Sequence, residues 1–504
     1  MTLTKHLESL GFVAGIAFPS VFHHPLYDIT TLVHGDDYVS AGPAHALSWL
    51  QRELEAKFEV KTQRVGEGHQ CVGEGKVLNR IVRATELGWE LEADPRHGEL
   101  VREQLGIGAN AKSVTTPYID VKDEELLNDD EPELSTEQVS AYRGIAARLN
   151  YLGFDRPDLQ FSVKEACREM AKPTQRSWER LRRIGRYLAH RPRLVWRYPM
   201  QMVAPELIVY TDANWAGCKR SRKSTSGGCI FRGAHCIKAW SKTQAVIAKS
   251  SAESELLGII RGSCEGLGVQ SLARDLGEDV KIQVYMDATA AAGIVERRGI
   301  SRVRHLDTDI LWIQEAQARR LLPLKKVPGT RNPADLMTKG LSSERIGICI
   351  DMMELVFLEG RASAAAGLHA LDRSRGAHGG GCTRTDEFSR VERRSVCHKS
   401  ERESMSEGEL VREPVGDSWD MRGVHGVWRR RHATWRRALF TPYHVKKGPG
   451  KHVGLEALRI TRGRFLDGCE FELVDRWREA KNSHLDLGAP WKGTTVFQEV
   501  EASL

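Results

Sequence analysis

Between residues 44 and 60 the apolar positions Ala46, Leu50, Leu54 and Phe58 recur every four residues, which predicts an amphipathic helix. Just before it, "ITTLV" and "DYVSAG" read as two short strands on either side of Asp36 and Asp37. Ser135 and Gln138 form a capping box. They open a helix with Val139, Tyr142, Ala146, Leu149 and Leu152 on one face, stopped by Gly153. A further helix, "TQRSWERLRRIGRYLAH", buries a stripe of Trp178, Leu181, Ile184 and Leu188 and carries arginines on its other sides. The pattern is most ordered over residues 205–341. There three strands, a long helix, a strand, two helices, a strand and a last short helix predict an α/β layer, with helices covering a mixed sheet. From residue 342 the chain turns glycine-, serine- and charge-rich, which predicts a flexible linker to residue 420. Order is expected to return at 421–504 as a small basic region containing "WRRRHATWRR".

Composition narrows the class without naming it. At 504 residues and 41 % hydrophobic content, the chain is long enough for several cores. A net charge of +7 is mild and does not by itself require a polyanionic partner. The ten cysteines include no C-x-x-C pair, which argues against a disulfide scaffold and for a reducing compartment. No apolar run is long enough to span a bilayer, and the N-terminal residues lack the layout of a secretory signal. The start reads like the middle of a protein. His378, Cys382, Cys397 and His398 match no zinc-site spacing.

Candidate chemistry sits in carboxylates. Asp212 in "VYTDANW" and Asp287 in "VYMDATA" each end a predicted strand, so neighbouring strands would deliver both to one sheet edge. Glu253 and Glu255 open the long helix, and Asp335 lies in the first turn of the last one. Carboxylates gathered in this way repel unless divalent cations neutralise them. Hard oxygen donors favour magnesium or manganese. A pair of such ions about 3.5–4 Å apart can clamp a phosphodiester.

Five stretches carry a resemblance: "YTDANWAGCKRSRKSTSGGCIF", "AWSKTQAVIAKSSAESELLGI", "YMDATAA", "RVRHLDTDILWIQE" and "VPGTRNPADLMTKGL". Through them residues 205–341 resemble the ribonuclease H domain of copia-type retrotransposon polyproteins. The resemblance implies a ribonuclease H-like mixed five-stranded sheet and a metal-binding, catalytic set of Asp212, Glu255, Asp287 and Asp335. It also implies two Mg2+ or Mn2+ ions and hydrolysis of the RNA strand of RNA·DNA hybrids. Glu255 is preferred to Glu253 because it directly precedes "LLGI", the face expected to pack on the sheet. Asn214 stands where the family usually has a second aspartate, and His305 matches a family histidine. Lys219, Arg220, Arg222 and Lys223 lie beside the expected site, as a phosphate-binding patch or a solvated hairpin.

The same family accounts for residues 1–125 as a truncated reverse-transcriptase palm and for 126–204 as helical thumb or connection. "VHGDDYVSAG" resembles the palm hairpin, so Asp36 and Asp37 are expected to be metal ligands, although His34-Gly35 departs from the usual motif. "TPYID", "YRGIAARLNYLGFDRPDLQFSV" and "SWERLRRIGRYLAHRP" resemble the segments that follow. The fingers and the first palm aspartate are not found among the residues preceding the pair, so no polymerase activity is expected of this chain. Arg180, Arg183 and Arg186 suit template phosphates or a solvated helix face equally. The expected partners are an RNA·DNA hybrid and the remaining Pol subunits or precursor. The expected location is a cytoplasmic element particle, the nucleus, or both. The rival expectation is a catalytically inactive nucleic-acid binder, as an element remnant or a co-opted protein.

Overall fold

The computed structural model describes residues 3–368 apart from 35–36, 69, 109, 121–131 and 300–306, and beyond them only strand segments at 456–461, 463–464, 470–471 and 494–497. Asp36, His305, residues 369–420 of the expected linker and the "WRRRHATWRR" stretch lie outside the described residues. Among the described residues no helix is long and apolar enough to cross a membrane.

The N-terminal region is an antiparallel sheet with a helix on one face. Strands Val21–His24, Ile29–His34 and Asp37–Gly42 pair in sequence, and His34 lies opposite Asp37. Asp37 therefore begins a strand at a hairpin, as the pattern predicts. Helix Ala44–Glu55 buries Ala46, Leu47, Leu50 and Leu54 in the core that Phe22, Ile29 and Tyr38 supply from the sheet. The backbone of Glu456–Thr461 pairs along the outer side of Asp37–Gly42.

A second antiparallel sheet joins segments that are distant in sequence. Glu74–Val77, Arg80–Thr85 and Gly88–Ala93 are followed in space by Arg193–Pro199 and then by Leu355–Leu358. Helices Thr136–Leu152, Pro157–Arg168 and Gln175–His190 form a separate apolar cluster with Val101 and Leu105. Ser135 and Gln138 make the reciprocal cap that their spacing predicts. Leu181, Ile184 and Leu188 of the predicted stripe are buried, with Trp178 packed at the cluster's edge. Helices and sheet are joined by an ion pair between Arg80 and Asp155 at 2.8 Å, both buried. Asp155→Ala would leave the guanidinium buried and unpaired, so urea unfolding should show a loss of about 3–5 kcal/mol.

Residues 206–326 build the layer that carries the candidate chemistry. Strand β1 (Glu206–Asn214) is central; β2 (Thr225–Arg232) and β3 (His235–Thr243) add antiparallel on one side. After helix α1 (Ser251–Asp275), β4 (Lys281–Met286) runs parallel to β1 on its other side. Helices α2 (Thr289–Val295) and α3 (Asp307–Ala318) lead to β5 (Leu324–Lys326), parallel to β4. The sheet order is thus β3-β2-β1-β4-β5, five strands and mixed. β2 is buried throughout, as suits a strand covered on both faces.

Helix α1 packs closely on β1 at Gly262 and Gly266, where a Cβ would collide with the sheet. A methyl group at Gly262 would overlap Thr211 Cγ2 and sit 3.2 Å from Val209 Cγ1. Gly262→Val should therefore push the helix outward. The expected loss of stability in chemical denaturation is about 1–3 kcal/mol.

The ordered chain does not stop at residue 341. Residues 342–358, which the composition assigns to a linker, contain helix α4 (Ser343–Met352) and the strand Leu355–Leu358. Cys349, Ile350 and Leu355 are buried in the core shared with β2 and α1, a long-range contact that local composition does not encode.

Candidate metal centre

Parallel pairing sets the site's floor. Tyr210 lies opposite Tyr285, so β1 and β4 reach the same edge and Asp212 comes level with Asp287, one residue past β4. Asp212 is 1 % exposed and faces Gly227 across the β1–β2 ladder.

The helix supplies the third carboxylate. Ser250 caps α1 by accepting a hydrogen bond from the Glu253 N–H at 3.2 Å, and Glu253 Oε2 accepts from the Lys249 N–H at 3.2 Å. Glu253 is thus occupied in fastening the helix start. Glu255, two positions on, points to a different face, toward β1. Gly258, one turn further, lies beside the backbone of Asp212, whose carbonyl oxygen is 3.5 Å from where a Cβ would be. Asp212, Glu255 and Asp287 each place a carboxylate oxygen within 4.8 Å of the others.

This proximity has an electrostatic signature. Burial pushes the Glu255 carboxyl up to about 9, and the charges of Asp212 and Asp287 add to the rise. Its Oε2 is buried with no hydrogen-bond partner. Burial also raises Asp212, against the opposing pull of Lys339 and Thr338. A group of hard anionic oxygens, one buried and unpartnered, fits a divalent cation of the magnesium or manganese type.

Asp335 is held beside this group rather than within it. Asn332 caps the 3-10 turn Pro333–Met337 by accepting from the Ala334 N–H at 3.2 Å. Its Nδ2 donates to the Thr211 carbonyl at 2.9 Å, which ties the turn to the residue before Asp212. Thr338 Oγ1 donates to Asp212 Oδ2. Lys339 Nζ bridges the two aspartates, at 2.6 Å from Asp335 Oδ1 and 3.3 Å from Asp212 Oδ1. Gly227 makes the close approach possible, since a Cβ there would lie 2.6 Å from Thr338 Cγ2 and 2.8 Å from Met337 Cβ.

The basic candidates divide into two groups. Lys219, Arg220 and Arg222 are exposed on the turn between β1 and β2, with Lys223 half-buried at its end. Arg168 anchors this turn through Ser221 Oγ at 3.0 Å. On helix Gln175–His190, Arg180 and Arg183 have internal ties instead. Arg180 pairs with Glu169, Arg183 donates to Thr116 Oγ1 at 2.7 Å, and Arg186 is half-buried beside them.

Asn332, Thr338, Lys339 and Arg345 were not singled out by sequence reasoning. The Asn-Pro pair was a legible turn cap, and Lys339 lies four residues after Asp335, the spacing of a helical ion pair. Nothing local marked Arg345, whose partners lie 10–16 residues earlier.

No protein-family model matches the chain. Over 362 residues, 69 % of its length, it is 29 % identical to the retrovirus-related Pol polyprotein from transposon RE2 of Arabidopsis thaliana. It is 25 % identical over 362 residues, 70 % of its length, to the retrovirus-related Pol polyprotein from transposon TNT 1-94 of Nicotiana tabacum. Among solved structures, LC11-RNase H1 in complex with RNA/DNA hybrid matches 26 % of this chain and 94 % of its own, at 18 % identity and a TM-score of 0.20. The chain's homologues at 25–29 % identity, over 68–70 % of the chain, are thus retrovirus-related Pol polyproteins of copia-type transposons. The chain spans about a quarter of the length of these relatives, 24 % for RE2 and 26 % for TNT 1-94.

Proposed function

We propose that residues 206–358 form the ribonuclease H-type nuclease of this Pol segment, cutting the RNA strand of RNA·DNA hybrids with the help of divalent cations. The observation that carries this reading is the convergence of Asp212, Glu255 and Asp287 within 4.8 Å at one sheet edge, beside Asp335. Asp212, Glu255 and Asp287 would hold the cations, with Asp335 as the outer ligand. Two Mg2+ or Mn2+ ions bound there would supply the activation of a water and the stabilisation of a departing 3′ oxygen.

The chain's own residues do the rest. Thr338 and the short tie from Asn332 to β1 fix the orientation of the Asp212 carboxylate. Burial on the β2 side keeps the carboxylates away from bulk water, which strengthens their hold on a cation. The exposed cations of the 219–223 turn are suited to phosphates of a duplex lying across the edge, with recognition of RNA through 2′-hydroxyls in the minor groove.

The test uses the full-length chain, a labelled RNA·DNA hybrid, and Mg2+ or Mn2+. The RNA strand should be cut while single-stranded RNA and duplex DNA are not. A folded chain that leaves the hybrid intact with both cations overturns the reading. Replacing Arg220 and Arg222 together by Gln should raise KM and leave kcat unchanged. It should also lower the salt dependence of hybrid binding by about one unit of slope per cation removed. An unchanged slope would show that the turn does not meet phosphate.

A further inference from the structure

We propose that Lys339 is the site's built-in counter-cation, a positioning residue that holds Asp212 and Asp335 together in the absence of divalent cations and gives way when they bind. The proposal rests on the cation-binding reading given above.

Asp335 carries a positive group on each oxygen, and the two are not equivalent. Arg345 Nη2 lies 3.0 Å from Oδ2. The same guanidinium donates to the carbonyls of Thr330 at 2.6 Å, Gly329 at 2.9 Å and Asn332 at 3.2 Å. It thereby locks the loop that leads into the turn, and this loop also passes Asp287: a Cβ on Gly329 would sit 3.3 Å from Asp287 Oδ2. Four directed bonds from a planar, permanently charged fork make Arg345 a fixed part of the scaffold.

Lys339 is built differently. Its hydrogen bonds go to Asp335 and Asp212, and its side chain is 40 % exposed. Its backbone is secured, with the Lys339 N–H donating to the Asp335 carbonyl at 3.2 Å and Gly340 packed against Tyr118. The ammonium sits at the end of a flexible stem that reaches solvent, so it can swing away without moving the turn. Its place between Asp212 and Asp335 is one that a divalent cation shared by those two carboxylates would need. An ammonium and such a cation therefore exclude each other through charge and space. The lysine keeps the carboxylates assembled beforehand, and its departure vacates an arranged pair of ligands.

The measurement is calorimetric titration of Mn2+ into the full-length chain, alongside melting in chelator. Lys339→Met keeps the stem and removes the charge. It should bind Mn2+ about tenfold more tightly than the unaltered chain, a modest effect because the ammonium is partly solvent-screened. It should also melt at a lower temperature in chelator and gain more on adding Mn2+. Lys339→Arg, which keeps a cation, should stay near the unaltered affinity. A folded Lys339→Met that binds Mn2+ equally or more weakly overturns the proposal while leaving the cation site standing. If the unaltered chain itself takes up no Mn2+, the cation-site reading fails, and the role of Lys339 fails with it.

Discussion

Asp287→Asn should abolish hybrid cleavage and, at the same time, make the protein more stable in chelator. The two effects have one origin. Asp287 shares a space within 4.8 Å with Asp212 and Glu255, so in the absence of cations its charge works against the fold. Replacing it with a neutral isostere removes that repulsion, and the melting temperature in chelator should rise by the equivalent of about 1 kcal/mol. On the proposed reading, the same charge would be needed under turnover conditions to hold the cations. Losing several kcal/mol of electrostatic stabilisation in the transition state corresponds to about a thousandfold or greater fall in kcat. Hybrid binding should be retained, because the exposed cations of the 219–223 turn are untouched. Both readouts come from one variant, a cleavage assay and a thermal melt with and without Mg2+. A variant that still cleaves within tenfold of the parent would remove Asp287 from the chemistry. One that melts lower in chelator would show that its carboxylate stabilises the fold.

The second large effect is a dependence of stability on pH. Glu255 rises from 4.5 to about 9 in the folded chain, through burial first and its carboxylate neighbours second. Between those two values the folded state holds a proton that the unfolded state has released. Fewer protons bound by the unfolded state means that stability falls as pH increases across this window. Measured in chelator, the melting temperature should therefore drop steadily from mildly acid to mildly alkaline pH. Glu255→Gln, which cannot ionise, should flatten that slope. Divalent cations should reverse the trend, since uptake by a protonated Glu255 releases a proton and is favoured at higher pH. Calorimetric melts at several pH values, with chelator and with Mn2+, read all three expectations. An equal slope in the parent and in Glu255→Gln would place the Glu255 carboxyl in contact with water. Glu253→Gln is the matched control. Glu253 is tied to the helix start by the Lys249 N–H, so its change should touch helix stability and leave the Mn2+ response in place.

Residue pattern alone determined much of this protein. The alternation and length of the apolar runs at 206–326 gave the order of strands and helices, because each element's period of two or 3.6 is a local property. The cap at Ser135 was equally local, since its donor and acceptor are three residues apart. Strand-end aspartates and an acidic helix start pointed to one chemistry, and family motifs joined them into a set. Only the tertiary structure decided which of them meet. Parallel pairing of β1 with β4 brought Asp212 level with Asp287, and the glycine face of α1 let Glu255 descend onto them. It also decided that residues 343–358 are structured. The strand Leu355–Leu358 pairs with Arg193–Pro199 across more than 150 residues, and Arg345 grips the loop before Asp335. Composition read this region as linker because burial there is conferred by partners distant in sequence, and a window of sequence cannot see what will cover it.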